Sequence, residues 1–514
     1  MQLEDKIGQM LMVGFDGFDV PDYILEWLQT GRVGGIILFA RNVDTPEQVA
    51  RLTQRLHAAA KYPLLIGIDQ EGGTVARLRQ GFSESPGAMA LSAAQDGVGL
   101  AEKADEILGL ELRALGINWD FAPALDITYN AANPAVGTRS FGADAARVAE
   151  MGAAAVRGFQ RGGVAATAKH FPGLGSTATD THLALPVLDT SVEQLMGQDM
   201  RPFRAAIDAG LASVMTTHTI YAALDSKLPA TLSPIIIQKL LRGELGFEGA
   251  VSSDCMEMKA IADNFSPAET ATLGALAGLD MIVFSHTRAT QEAAHDGLVA
   301  SVKSGRVPME RIEEANRRLA TLKQKYPAQQ PDLSLIRQPA HVELMLNAAR
   351  AGVTLLREEV PLPIDEGAVL VEFASHLESG ILESGGVTGL GTHLRRRFPQ
   401  LRSASLVVNA YTDRVVAEAE ALVKTSKTLV LATRNAHLNA DQLDAARRLV
   451  SAAQAVVLVC LRNPYDAMVF PSAGTVICTC GDSAPSLQAA AEVLSGQFRP
   501  TGKLPVSMKA HVGA

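Results

Sequence analysis

A (β/α)8 TIM-type barrel over residues 1–325, followed by a linker at 326–339 and a C-terminal α/β domain at 340–514, is the fold class that the sequence predicts. Three observations predict it. The chain, at 514 residues, is longer than one hydrophobic core ordinarily serves, so two domains are expected. Short apolar or β-branched runs alternate with longer amphipathic ones, the pattern of strands and helices in a parallel sheet. Six of the runs in the first 325 residues lead straight into a side chain that can do chemistry, as happens where the strands of a barrel open onto one rim.

The runs at 35–39, 64–68, 117–121, 164–168, 213–217, 249–253 and 281–284 read as strands, and the segments 46–61, 97–115, 143–161, 193–209 and 268–276 read as the helices between them. The second run leads to Asp69, the third contains Asp120, and the fourth leads to Lys169 and His170. The last three lead to His218, to Asp254, and to Ser285 with His286. A doubly wound open sheet would gather its ligands at one crevice instead. Polar groups delivered by six strands favour the closed barrel.

Residues 326–339 are polar and include Pro327, Pro331 and Pro339, the composition of a linker. Beyond them, strands at 368–372, 405–408, 428–431, 455–460 and 475–480 alternate with helices such as 412–424 and 440–453, a second α/β layered domain. This half carries no phosphate-cradling glycine-rich loop and no evident triad. Arg462, Asn463 and Asp466 follow a strand there as capping and turn residues or as ligands, and the structural reading is the simpler.

The composition is that of a globular α/β protein, with 47% hydrophobic and 20% charged residues. A formal charge of -9 without a Lys/Arg block argues against a nucleic-acid partner, because such affinity rests on neutralising phosphates. No apolar stretch is long enough to span a bilayer, so no membrane partner is expected. Met1 to Lys6 lack the basic and apolar pattern of a signal peptide, which predicts a cytoplasmic protein. Cys255, Cys460, Cys478 and Cys480 form neither a disulfide framework nor a Cys-x-x-Cys metal knuckle, and no cofactor or metal is called for. A small neutral substrate fits these limits.

The densest chemistry lies in Lys169-His170-Phe171-Pro172-Gly173-Leu174-Gly175, followed by Asp180-Thr181-His182. If Asp180 accepts a hydrogen bond from one ring nitrogen of His182, it fixes the tautomer and leaves an imidazole able to give and take a proton near neutral pH. The alternative is that Asp180 caps a helix and His182 is a solvated loop residue. Asp254 ends Ala250-Val251-Ser252-Ser253 and would face the barrel mouth, where its carboxylate could attack a sugar's anomeric carbon, unless it caps the next helix. Asp69, before Gln70-Glu71-Gly72-Gly73, and Arg77 about a helical turn later suit adjacent sugar hydroxyls or form a structural ion pair.

With these residues in view, the sequence resembles the β-N-acetylglucosaminidases of glycoside hydrolase family 3. The resemblance spans most of residues 1–325 and rests on Gly34 to Phe39 with Arg41-Asn42, Asp69 to Gly73, Phe121-Ala122-Pro123-Ala124-Leu125-Asp126, Arg139-Ser140-Phe141, Lys169 to Gly173 with Asp180 and His182, and Ser253-Asp254. It implies Asp254 as nucleophile, His182 as acid/base and Asp180 as its partner. Asp69, Arg77, Arg139, Lys169, His170 and, in our reading, His218 would hold the terminal sugar. It also implies retention of configuration through a covalent glycosyl-enzyme, with a histidine replacing one of the usual two carboxylates. Residues 340–514 resemble the α/β sandwich of two-domain relatives, ending in Gly502-Lys503-Leu504-Pro505-Val506.

Two departures from the family pattern stand out: Leu174 where many members have His, and Thr74 where some have a basic residue. The expected substrates are β-N-acetylglucosaminides such as muropeptide or chitin fragments, with peptidoglycan recycling as the expected role. The alternatives within the family are a phosphorylase and a β-glucosidase. From other classes come a silent sugar-binding protein and a metal-dependent barrel hydrolase using His170, Asp180, His182, His218 and Asp254 as ligands.

Overall fold

The computed structural model describes residues 1–177, 184–374, 389–408 and 411–508. Eight parallel strands close into a barrel: β1 (Leu11–Val13), β2 (Gly35–Leu38), β3 (Leu65–Ile68), β4 (Trp119–Asp120), β5 (Ala165–Phe171), β6 (Ser213–Thr216), β7 (Ala250–Cys255) and β8 (Met281–Phe284). Each strand pairs with its neighbours in sequence, and β1 closes the ring by pairing Leu11 with Ile282 and Met12 with Gly35. Seven of these strands coincide with the expected runs to within a few residues. The eighth, β1, is three residues long, too short to show a period, and escapes a pattern reading.

β1, β2, β3 and β8 are continuous apolar runs, as parallel strands buried on both faces require. Lumen packing sets some identities individually. Gly67 leaves room for the Phe121 ring, since a Cβ there would lie 2.8 Å from it. Trp119 donates its indole N–H toward Thr167 Oγ1 at 2.7 Å and Ser213 Oγ at 3.0 Å, so its one polar atom is satisfied inside the barrel.

At the amino end of the barrel, the fully buried Asp280 carboxylate, just before β8, binds Arg242 at 2.8 Å and Arg311 at 2.6 Å and also accepts the Val251 amide at 3.0 Å. This end is remote from the rim that carries Asp69 and Asp254.

Residues 326–339 run along the barrel, with Asp332 N–H donating to Ala114 O and Arg337 N–H to Glu111 Oε1. The helix Pro339–Gly352 follows, with Met345 and Ala348 buried in the barrel's own core. The second domain is a six-stranded sheet in the order β9 (Thr354–Glu358), β14 (Thr475–Cys478), β13 (Ala455–Cys460), β12 (Thr428–Thr433), β10 (Val369–Ala374) and β11 (Arg402–Val407). It is parallel except for β9, an antiparallel edge absent from the expected set. Alternate residues feed two cores, one on each face: Leu429 and Leu431 on one side, Val430 and Ala432 on the other.

The two domains share packing. Met89 and Ala90 of the barrel domain belong to one core of the second sheet. The tail segment threads between them, Lys503 N–H donating to Ala93 O at 2.8 Å and Ala143 N–H to Pro505 O at 3.0 Å.

Asp280→Ala leaves buried guanidinium groups without their shared carboxylate. The loss expected is about 3 kcal/mol of stability, or several degrees in Tm, with kcat/KM preserved because the change lies at the end opposite the cavity. Thermal melts and initial rates on the same preparation check both halves of that expectation.

Candidate active site

The rim of the barrel encloses a cavity of about 450 Å³, lined by Asp69, Arg77, Arg139, Lys169, His170 and Asp254 among others. That size lies in the range of small-molecule sites. Six of the residues singled out by sequence therefore meet in one place, although they come from positions up to 185 apart in the chain.

Each arrives by a local rule. Asp69 directly follows β3, and the chain turns back at once through a hairpin, Gln70–Gly72 against Val75–Ala76, whose Gly72 and Gly73 both have positive φ. The expected helical turn between Asp69 and Arg77 is this hairpin instead. Gln70 is the reason: its Oε1 accepts the Arg77 and Leu78 amides at 2.8 and 3.0 Å and clamps the two arms together. Lys169 and His170 lie within the extended β5, and Asp254 within β7.

The polar side chains form a continuous chain of contacts. Arg77 Nη2 lies 3.3 Å from Asp69 Oδ2, and Asp69 Oδ1 lies 2.7 Å from Lys169 Nζ. Lys169 Nζ also lies 2.7 Å from Glu71 Oε1. Arg139 grips Glu71 with two prongs, Nε to Oε2 at 2.9 Å and Nη2 to Oε1 at 2.7 Å, a fork geometry lysine could not supply. Arg139 Nη2 is 3.3 Å from His170 Nε2, and His170 Nδ1 is 2.7 Å from Asp126 Oδ2. A guanidinium can only donate, so His170 accepts through Nε2 and donates through Nδ1.

At Asp69, Glu71, Asp126, Arg139 and Lys169 burial opposes ionisation, and the neighbouring partners outweigh it. Burial would raise Asp69, yet Lys169 and Arg77 hold its carboxyl well below the usual carboxylate range. Against the same burial, Arg139 and Lys169 bring Glu71 to about 2, and His170 lowers Asp126. Burial would lower Lys169, yet Asp69 and Glu71 raise it. Asp120, fully buried at the centre, has burial as its dominant influence and is raised well above the ordinary value, and its Oδ1 accepts the Gln70 amide at 2.9 Å.

Glu71 and Asp126 stand in the quoted motifs, but the sequence reading gave them no role. The available signal was their place, two residues past Asp69 and three past Pro123, where Glu71 meets Lys169 and Arg139 and Asp126 meets the His170 ring. Arg77 and Asp69 do form the ion pair offered as the structural alternative, and both still line the cavity. Asp254 caps no helix: the next one, Lys259–Ala262, has Met258 at its N-cap. Its Oδ1 accepts the Cys255 amide at 2.7 Å.

His218 lies behind the cavity wall rather than in it. It is 1% exposed, with Nδ1 2.9 Å from Thr231 Oγ1 and Nε2 2.9 Å from the carbonyl of Cys255, next to Asp254. Asp180 and His182 lie outside the described residues. Leu174 is buried against Ala135 and Val136 and lines the cavity, while its N–H donates to Asp126 Oδ1 at 2.6 Å. Among the described residues no group of three His, Cys, Asp or Glu side chains is placed to hold a metal ion, and no helix is long and apolar enough to cross a membrane.

Comparison with known proteins places this geometry. The model of the glycosyl hydrolase family 3 N-terminal domain matches residues 2–322. The chain belongs to glycoside hydrolase family 3. A solved family 3 β-N-acetylglucosaminidase from Paenibacillus sp. str. FPU-7 is 38% identical, with a TM-score of 0.92 and full coverage of both chains. A beta-hexosaminidase from Stenotrophomonas maltophilia (strain K279a) is 39% identical over 291 residues, 56% of this chain and 86% of its own. Beta-hexosaminidase A of Pseudoalteromonas piscicida is 34% identical over 382 residues, 68% of this chain and 64% of its own. As a family 3 enzyme, the chain carries the family's barrel as its first domain and a second domain shared with the Paenibacillus protein.

Beneath the site, Asp199 lies against Gly173, and burial, then the Asp126 charge, push its carboxyl up to about 7. A folded value above the unfolded one means the native state binds the extra proton. Stability from this group is therefore full below about pH 4 and is lost as pH rises toward 7. Asp199→Asn is expected to raise Tm by a few degrees at pH 8 and by little at pH 4, which paired melts at the two pH values check.

Proposed function

We propose that the protein is a retaining β-N-acetylglucosaminidase that removes terminal, non-reducing β-linked N-acetylglucosamine. The observation that carries the reading is the joint placement of the Asp254 carboxylate and the Asp69, Lys169, Arg139 and His170 cluster around one cavity, in a chain aligned end to end with a family 3 β-N-acetylglucosaminidase.

In this mechanism the sugar lies on the floor of the cavity. Asp69 accepts hydrogen bonds from adjacent ring hydroxyls while Lys169, Arg139 and His170 keep that carboxylate and its neighbours in fixed positions. The cluster stays ionised because its members compensate one another, so it meets the sugar with dipoles and charges already oriented. Asp254 attacks the anomeric carbon as His182 gives its proton to the leaving oxygen. The glycosidic bond breaks, an aspartyl ester forms, and water deprotonated by the same imidazole releases the sugar with its original configuration. Asp180 orients His182.

Peptidoglycan fragments in the cytoplasm are the substrate pool we favour for this activity. The likeness to a family 3 β-N-acetylglucosaminidase supports a sugar of that class, and cell fractionation with an antibody that places the protein outside the cell would overturn the choice of compartment.

The direct test is release of chromophore from an aryl β-N-acetylglucosaminide and from the matching β-glucoside, each with and without phosphate. Turnover confined to the N-acetyl substrate and indifferent to phosphate is expected. Phosphate-dependent turnover would instead make the enzyme a phosphorylase, and preference for the glucoside would remove the N-acetyl assignment. Asp254→Asn is expected to lower kcat by about 10³-fold or more, and proton NMR of the first product formed should show the β anomer. Wild-type rates in that variant would exclude Asp254 as nucleophile.

A further inference from the structure

The loop that carries Arg139 is pinned on both sides. On one side is the rim of the barrel: Asn133 Nδ2 donates to the carbonyls of Leu174 and Gly175 at 3.0 and 3.2 Å, while Asn133 Oδ1 accepts the Ala135 and Val136 amides at 2.9 Å each. Arg139 Nη1 donates back to Ala135 O at 2.8 Å. One asparagine thus ties the Arg139 loop to the segment that leads toward Asp180 and His182.

On the other side is the second domain. After β12 the chain turns at Asn435, a non-glycine residue with φ of 57°, and sends His437 toward the barrel. His437 Nδ1 is 2.6 Å from Asp466 Oδ1, which also accepts the His437 amide at 3.0 Å, so the ring's orientation is fixed twice. Its Nε2 lies 3.1 Å from the carbonyl of Ala131. A carbonyl only accepts, so Nε2 carries a proton and donates it. Asn463 closes the same contact against Gly137, where a Cβ would come within 2.7 Å of its Oδ1 and where φ is 45°.

We propose that His437, oriented by Asp466, is a positioning residue through which the second domain holds the 131–139 loop, and so sets both Arg139 at the sugar and the start of the segment bearing the acid/base. The role adds to the family reading a function for the second domain, and its catalytic consequence rests on the function proposed above. No group of the second domain needs to touch the sugar. The domain acts by removing freedom from a loop that is held on its barrel side by Asn133 and by the packing of Ala135 and Val136 on Leu174, and a misplacement on the order of 1 Å at a binding or proton-transfer group costs large factors in rate.

Three variants and two readouts test it. His437→Ala removes the donor to Ala131. His437→Gln keeps an N–H donor at nearly the same reach and is the rescue. Asn133→Ala cuts the link at its other end. Hydrogen exchange of the ligand-free protein reads the brace without any assumption about activity: exchange across 131–139 and at 174–177 is expected to rise on the order of ten-fold in His437→Ala and to return toward wild type in His437→Gln. In the kinetic arm, His437→Ala should raise KM and lower kcat on the aryl N-acetylglucosaminide, with a combined loss on the order of ten-fold, and His437→Gln should recover most of it.

Unchanged exchange in a folded His437→Ala protein, or equal loss in the Ala and Gln variants, overturns the proposal. If His437→Ala does not fold, the His437→Gln and Asn133→Ala pair decides it: exchange at 174–177 must rise in the second and not in the first. A wild-type protein without sugar turnover would end the functional reading, while the exchange result would still stand or fall on its own.

Discussion

The ammonium of Lys169, shared at 2.7 Å between Asp69 and Glu71, is the interaction on which the rest of the site depends. Both carboxylates are buried deeply enough that either would be driven toward its neutral form without a partner. A single cation from β5 meets them both, and Arg77 and Arg139 close the two ends of the row. Replacing any one member would leave a buried charge uncompensated, so the row behaves as a unit. The barrel supplies part of the precision: Asp69 and Lys169 sit at or beside the carboxyl ends of strands held by hydrogen bonds to both neighbours, while Arg77 comes from the hairpin after β3 and Arg139 from the loop after β4. Rigid elements hold such a constellation better than loops do.

Asp120 shows how finely the balance is kept. It lies among the same residues and is more deeply buried than Asp69, but no cation contacts it, and its carboxyl is raised rather than lowered. A fourth carboxylate here would tip the row toward net negative charge beside the lysine. Asp120 instead accepts the Gln70 amide and fixes the first residue of the hairpin that delivers Arg77. Sequence does not tell their states apart, since one follows an apolar run and the other lies near the end of one. The difference is made by which strand's cation reaches which oxygen.

Much of the fold was legible because parallel strands buried on both faces leave a strong compositional trace, and seven of eight barrel strands left one. β1 and β9 did not, for opposite reasons: Leu11–Val13 is too short to carry a period, and Thr354–Glu358 is a half-exposed edge with a mixed pattern. At the site, the residues at strand ends were legible from position, and Asp69, Lys169, His170 and Asp254 all line the one cavity. What stayed hidden were partners whose importance comes only from contact. Glu71 and Asp126 look like loop acids until Arg139 and His170 arrive, and His218, at a strand end like the others, turns its ring into the wall to hold the Cys255 carbonyl. Strand-end position predicts delivery to the rim and says little about which way the side chain then faces.

Leu174 illustrates why one departure from a family pattern need not disturb such a site. Its contribution to the polar row is made by its backbone: the N–H binds Asp126 Oδ1 and the carbonyl accepts Asn133, and neither depends on the side chain. The leucine itself seals a small apolar cluster with Ala135 and Val136, which presses the 131–139 loop onto the start of the segment beyond Gly173. An imidazole there would bring a polar ring into that contact and would need a hydrogen-bonding partner of its own. With leucine, the loop that carries Arg139 is held on this side by apolar packing and one asparagine, and on the far side by His437 and Asn463. Leu174 and Asn133 restrain the loop from the barrel side, and the contacts from the opposite side, His437 to Ala131 and Asn463 to Gly137, belong to the packing between the two domains.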